Sequence, residues 1–228
     1  MKKIIILHGW TNNLDKWRPF VDDLKTKGFF VDLLKIPGLT ESLKEVWELT
    51  DYIKWLKNIV DKEREKIILI GHSNGGRIAI AFTKQYPEKV EKLILIDSAG
   101  IYHNELPLKI KRLVFGTVAK IGKRITSSKS AKNLLYKLAQ ESDYKNLDEN
   151  AKQTMSNLIL TDIKPMLPQI LTPTLIIWGA NDRITPLTDG LLINNLIKNS
   201  KLEVINEAKH SPMFTHTQEV AKIIYEYL

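Results

Sequence analysis

The sequence predicts an α/β fold: a doubly wound, six-stranded, mostly parallel sheet with a helical subdomain inserted after the fourth strand. Three observations lead there. Short β-branched runs alternate with longer segments of helical period along the whole chain. Several of those runs are apolar throughout rather than alternating, as strands covered on both faces are. One long stretch, residues 99–172, carries helical patterns and no convincing strand.

In chain order the expected strands are Lys3–Leu7 (KIIIL), Phe29–Leu34 (FFVDLL), Ile67–Gly71 (IILIG), Leu93–Asp97 (LILID), Leu175–Trp178 (LIIW) and Leu202–Ile205 (LEVI). Helix candidates lie near 14–27, 42–60, 75–86, 188–198 and 217–227. In the second, Val46, Leu49, Ile53, Leu56 and Val60 recur at three- and four-residue spacing, an apolar stripe fit to lie on a sheet. The insertion shows helical patterns at Leu106–Ile121 and Ser130–Gln140, since a structureless loop of that length does not suit a compact domain. The chain therefore divides into a core, 1–98 and 173–228, and a helical cap, 99–172.

Of the 228 residues, 43% are hydrophobic and 26% charged, ordinary for a soluble globular protein of one large domain. Cysteine is absent, which excludes disulfides, thiolate nucleophiles and Cys-ligated metal sites. Only Ile4 to Leu7 stand between Lys3 and His8, too short a run for a secretory leader. No apolar run approaches the roughly 18–20 residues of a membrane helix. The expectation is a cytoplasmic protein without a membrane span.

Lys and Arg number 34 against 26 Asp and Glu, a net charge of +8. A basic chain raises the question of nucleic acid. Yet 28 of the basic residues are Lys and only 6 are Arg, whereas readers of nucleic acid lean on the bidentate Arg fork. No nucleic-acid partner is expected. Between Ile101 and Leu135, eight Lys and Arg stand against one acid, Glu105. A solvated face is the favoured reading, and a docking face for an acidic carrier protein is the other.

The chemistry concentrates at Gly71-His72-Ser73-Asn74-Gly75, a G-x-S-x-G directly after a buried strand and before a helix. A serine at a sharp strand-to-helix turn needs small neighbours, and the turn lifts Oγ above the carboxyl edge of the sheet. The helix points its N-terminal N–H groups at the same spot. Serine needs a base, and the base an orienting acid. Of five histidines, His210 follows the last strand and so stands on the same rim. His8 ends the first strand, His72 lies inside the turn with its ring expected to point away from Oγ, and His103 and His216 read as surface residues. Asp182, after the fifth strand, is the preferred acid; Asp97, ending the fourth, is the alternative. The oxyanion donors are expected to be the backbone N–H groups of Asn74 and Trp10. No cofactor or metal is implied.

With these segments in place the chain resembles the α/β-hydrolase-fold serine hydrolases from first strand to last helix. Similar to that family are His8-Gly9-Trp10, Ile36-Pro37-Gly38, the turn at Ser73, Gly179-Ala-Asn-Asp182 and His210-Ser-Pro-Met213. The order Ser73, Asp182, His210 is that of the family. The resemblance implies a six-stranded core in order 2-1-3-4-5-6 without the family's leading antiparallel hairpin, and a helical cap at 99–172. Leu39 and Thr40 depart from the family's usual continuation after Pro-Gly. Ser rather than Asp at position 73 argues against the dehalogenase and epoxide hydrolase branches.

The function expected from this reading is a capped serine carboxylesterase acting on short-to-medium acyl esters through an acyl-enzyme. The alternatives are a carbon–carbon bond hydrolase or thioesterase of the same fold and, outside catalysis, a ligand receptor or scaffold. Residues expected to line a roofed pocket are Leu106, Leu108, Leu113, Phe115, Leu134, Leu135, Leu138 and Met166.

Overall fold

A computed structural model of the protein describes residues 2–11, 13–101 and 148–228. Six strands form one sheet: β1 (Lys3–Leu7), β2 (Phe30–Leu33), β3 (Ile67–His72), β4 (Val90–Ile96), β5 (Thr174–Gly179) and β6 (Ser200–Ile205). Their order is β2-β1-β3-β4-β5-β6, and every neighbouring pair is parallel. The helices of the described residues are α1 (Arg18–Thr26), α2 (Leu49–Val60), α3 (Asn74–Gln85), α4 (Glu149–Leu160), α5 (Leu187–Leu196), α6 (Pro212–Thr215) and α7 (Thr217–Tyr227). None of them is long and apolar enough to cross a membrane.

The apolar runs are explained by two cores, one on each face. Alternate residues of the central strands (Ile5, Leu7, Leu69, Leu93, Leu95, Ile176) meet Tyr52 and Leu56 of α2, Phe82 of α3 and Ile193 of α5. The intervening residues (Ile4, Ile6, Ile68, Ile70, Ile94, Ile96, Ile177) meet Phe20 and Leu24 of α1 and Val220 and Ile224 of α7. A strand buried on both sides has no position left for a polar side chain.

Several boundaries differ from the sequence reading. The helix expected over 42–60 begins only at Leu49, because Glu48 caps it reciprocally with Asp51: the Glu48 side chain accepts from the Asp51 N–H, and Asp51 Oδ2 accepts from the Glu48 N–H at 3.0 Å. Val46, expected on the apolar stripe, lies before that cap and is 41% exposed. The helix expected over 14–27 splits into a 3-10 turn, Asp15–Trp17, and α1. The last strand starts at Ser200, two residues before its first apolar position. After β2, Thr40 Oγ1 accepts from the Ile36 N–H at 2.9 Å, so the departure at Leu39-Thr40 closes the turn with its own hydroxyl.

The helical patterns at 106–121 and 130–140, the basic run, Glu105 and His103 lie outside the described residues. So do the expected lining residues Leu106 to Leu138. The chain is described again from Asp148, whose carboxylate caps α4 by accepting from the Ala151 N–H at 2.7 Å. It regains the carboxyl edge of the sheet at Ile163, whose N–H donates to the Gly100 carbonyl at 3.1 Å. A 3-10 segment, Lys164–Gln169, then leads toward β5, with Leu167 and Ile170 buried in the core that holds α2 and α3. Met166 packs on that core and is not among the residues lining the cleft at Ser73.

Candidate active site

Parallel strands end on one edge, so the residues following β1, β3, β4, β5 and β6 converge there. Between β3 and α3 the chain turns through Ser73 alone, with φ 51° and ψ −119°. A non-glycine residue at positive φ is strained, and the surroundings must hold it. The Ser73 N–H donates to the Ile96 carbonyl at 3.1 Å, and the Ser73 carbonyl accepts from the N–H of Gly76 at 3.0 Å and of Ala99 at 2.9 Å. Gly75 lets α3 close on β1: a Cβ there would stand 2.0 Å from the Leu7 carbonyl oxygen.

Ser73 Oγ lies 2.9 Å from His210 Nε2, and His210 Nδ1 lies 2.7 Å from Asp182 Oδ2. All three residues are buried. This network assigns the tautomer: Nδ1–H donates to the carboxylate, leaving Nε2 to accept from the serine hydroxyl. Asp182 is itself held on both oxygens. Oδ1 accepts from the N–H of Ile184 at 2.7 Å and of Thr185 at 3.1 Å, and Oδ2 accepts from the Thr185 hydroxyl at 2.7 Å. Burial opposes its charge, but the hydrogen bonds from His210, Thr185 and Ile184 prevail and hold the carboxyl below its ordinary range. Thr185 had no role in the sequence reading. Its place three residues after Asp182 was the available signal.

Asp97 follows β4 with φ 42° and does not bond His210. Its Oδ1 accepts from the Gly179 N–H at 2.9 Å, and Oδ2 is buried without a partner among the described residues. Burial, reinforced by neighbouring Asp182 and opposed by the Gly179 N–H, pushes its carboxyl up to about 9. It is therefore a neutral acid at pH 7.

His72 lies against the His210 ring at 5.0 Å between centroids, and its Nε2–H donates to the His210 carbonyl at 2.8 Å. Burial and the charge of His210 lower it to about 3, so it stays neutral. His72 therefore anchors the backbone of the His210 loop, a link that no local pattern could reveal. His8, lowered to about 4 by burial, faces the Gly9 carbonyl at 2.7 Å. His216 contacts the Thr215 hydroxyl at the start of α7. Nitrogen or oxygen atoms of His72, Asp97 and His210 lie within 4.8 Å of one another. A metal fits this group poorly, because both His210 nitrogens are engaged and Asp97 carries its proton.

Asn74 is the first residue of α3, so its N–H is one of the helix's orphan donors. The Asn74 side chain is tied down by Arg77, whose Nη1 donates to Oδ1 at 2.8 Å. Across from it, a Cβ on Gly9 would stand 2.8 Å from Ser73 Cβ, so the Gly9-Trp10 backbone lies directly against the serine. The cleft above Ser73 is lined by Gly9, Trp10, Thr11, Lys16, Trp17, His72, Ile184, His210, Ser211 and Phe214. Its lining mixes polar side chains with the apolar ones of Trp10, Trp17, Ile184 and Phe214.

The model of the family described as serine aminopeptidase, S33, matches residues 1–216. The chain belongs to this family. It is an α/β hydrolase by fold as well: an α/β-hydrolase enzyme from the metagenome of sediments from the lagoon of Mar Chica, Morocco, superposes with a TM-score of 0.73 at 26% identity, over 99% of this chain and 90% of that one. Among curated family relatives, 2-hydroxy-6-oxononadienedioate/2-hydroxy-6-oxononatrienedioate hydrolase 1 of Pseudomonas putida is 28% identical, covering 99% of this chain and 87% of its own. The similarly named hydrolase of Escherichia coli is also 28% identical, over 99% and 86%.

Proposed function

We propose that the protein is a serine hydrolase of small molecules in which Ser73 attacks a carbonyl carbon, His210 is the base and Asp182 orients it. The observation that carries this reading is the continuous hydrogen-bond chain from Ser73 Oγ through His210 to Asp182. His210 takes the proton as Oγ adds to the carbonyl, and the N–H groups of Asn74 and Trp10 receive the oxyanion.

The bond opened is proposed from the relatives. A 2-hydroxy-6-oxo dienedioate contains no ester, amide or thioester. The bond open to hydrolysis is the carbon–carbon bond beside the 6-oxo group. In that reaction the dienol first ketonises, the 2-hydroxyl giving up its proton as C5 gains one; Oγ then bonds to the 6-oxo carbon, C5 leaves with the electron pair, and His210 gives its proton to the resulting dienolate. The electron pair delocalises through the C3–C4 double bond onto the 2-oxo group, which makes carbon a tolerable leaving group. Water, deprotonated by His210, then releases the acyl group from Ser73 as a free acid. This displaces carboxylesterase as the first reading. Ester cleavage is the second, because a serine hydrogen-bonded to its base before substrate arrives serves an alkoxide leaving group equally.

The test is turnover of a 2-hydroxy-6-oxo dienedioate alongside 4-nitrophenyl butyrate, with Ser73→Ala as control. The carbon–carbon substrate is expected to give the higher kcat/KM. Ser73→Ala is expected to lower both by at least about a thousandfold. A serine variant within tenfold of the parent removes Ser73 from the mechanism; turnover of the ester alone returns the protein to the esterases.

A further inference from the structure

Among the described residues, one charged side chain lines the cleft that no catalytic step uses. Lys16 sits in the 3-10 turn Asp15–Trp17, lines the cleft and is exposed. The neighbouring Asp15 is engaged by Arg18 Nη2 at 3.1 Å. Lys16 forms no ion pair among the described residues. Among the described residues no acidic side chain lines the cleft with it. The other described lining residues include Trp10, Trp17, Phe214 and Ile184, the last 53% exposed, and the hydroxyl-bearing Thr11 and Ser211.

Among the described residues the cleft therefore combines a nucleophile, apolar side chains and one cation without an ion pair. We propose that Lys16 is a specificity residue that pairs with a carboxylate carried by the substrate away from the scissile carbonyl. The Lys16 ammonium would pair with a carboxylate, and an aliphatic or conjugated spacer would lie on the aromatic side chains. This deepens the proposed function, since it rests on the cleft at Ser73 being the substrate site. Because Lys16 remains hydrated, the pairing is modest: the energy of an exposed ion pair corresponds to about a fivefold change in affinity.

The test is binding rather than turnover, so that it does not depend on catalysis. Trp10 and Trp17 line the cleft and provide the fluorescence signal. The Ser73→Ala chain is titrated with monomethyl glutarate and with dimethyl glutarate at low salt. The monoacid is expected to bind about fivefold more tightly than the diester. Lys16→Met is expected to bring that ratio to about one, Lys16→Arg to restore it, and 0.5 M salt, an added condition of roughly one-fifth the low-salt screening length, to erase it. Equal binding of the two esters, a preference that survives Lys16→Met, or no binding of either overturns the assignment. The turnover test of Ser73 is unaffected by any of these outcomes and can fail or succeed separately.

Discussion

Asp182 and Asp97 follow neighbouring strands, yet their surroundings push them in opposite directions. Asp182 accepts three hydrogen bonds besides that from His210 and stays ionised. Asp97 accepts one, lies against a second carboxyl and keeps its proton. An ionised carboxylate can accept only, so it holds the imidazole in the tautomer that accepts from serine and stabilises the imidazolium that forms. Asp182→Asn is expected to lower kcat by about 10³- to 10⁴-fold, and Asp97→Asn by much less. Steady-state kinetics of the two variants decide it, and a reversed order would move the acid to Asp97. At this scale the meeting of Ser73, Asp182 and His210 was legible because each follows a strand of one parallel sheet. Thr185 on Asp182 and His72 on the His210 carbonyl were not, because both bonds depend on how loops fold over the rim.

The elements that carry these residues depend on close backbone approach as much as on apolar burial. The start of α3 touches the end of β1 at Gly75, where a methyl group would meet the Leu7 carbonyl at 2.0 Å. Backbone cannot yield as a side chain does. Gly75→Ala is therefore expected to destabilise the fold by about 1–3 kcal/mol or more, the usual range for overpacking. Denaturant titration measures it, and a loss under about 0.5 kcal/mol would mean that the junction has slack. The glycine was visible in the motif, but its contact with β1 was not. Strand positions followed from uninterrupted Ile and Leu runs, whereas the start of α2 did not follow from its apolar stripe. The Glu48–Asp51 cap overrides the pattern at Val46 by fixing where helical hydrogen bonding begins.

Over the whole molecule, the two-sided core and the strand order were legible because both follow from the length and spacing of apolar segments. The fold also carries a pH dependence through Asp97. Its folded value of about 9 lies far above the ordinary value of 3.8, so the folded state holds a proton that the unfolded chain has lost. Stability on this account is undiminished below the unfolded value and declines as pH rises from about 4 through about 9. Asn cannot ionise and keeps the acceptor for the Gly179 N–H. The Tm of Asp97→Asn, relative to the parent, is therefore expected to rise steadily between pH 5 and pH 9. A difference that stays constant over that range would mean that Asp97 ionises at its ordinary value.

The central claim is that Ser73 is a nucleophile activated by His210, and covalent trapping tests it without choosing a substrate. The intact protein is treated with a fluorophosphonate and the adduct is located by peptide mass spectrometry. One phosphonyl group per chain on the peptide containing Ser73 is expected, with labelling abolished in Ser73→Ala and slowed by at least about a hundredfold in His210→Ala. An adduct on another residue, or labelling at Ser73 that proceeds unchanged without His210, would contradict it.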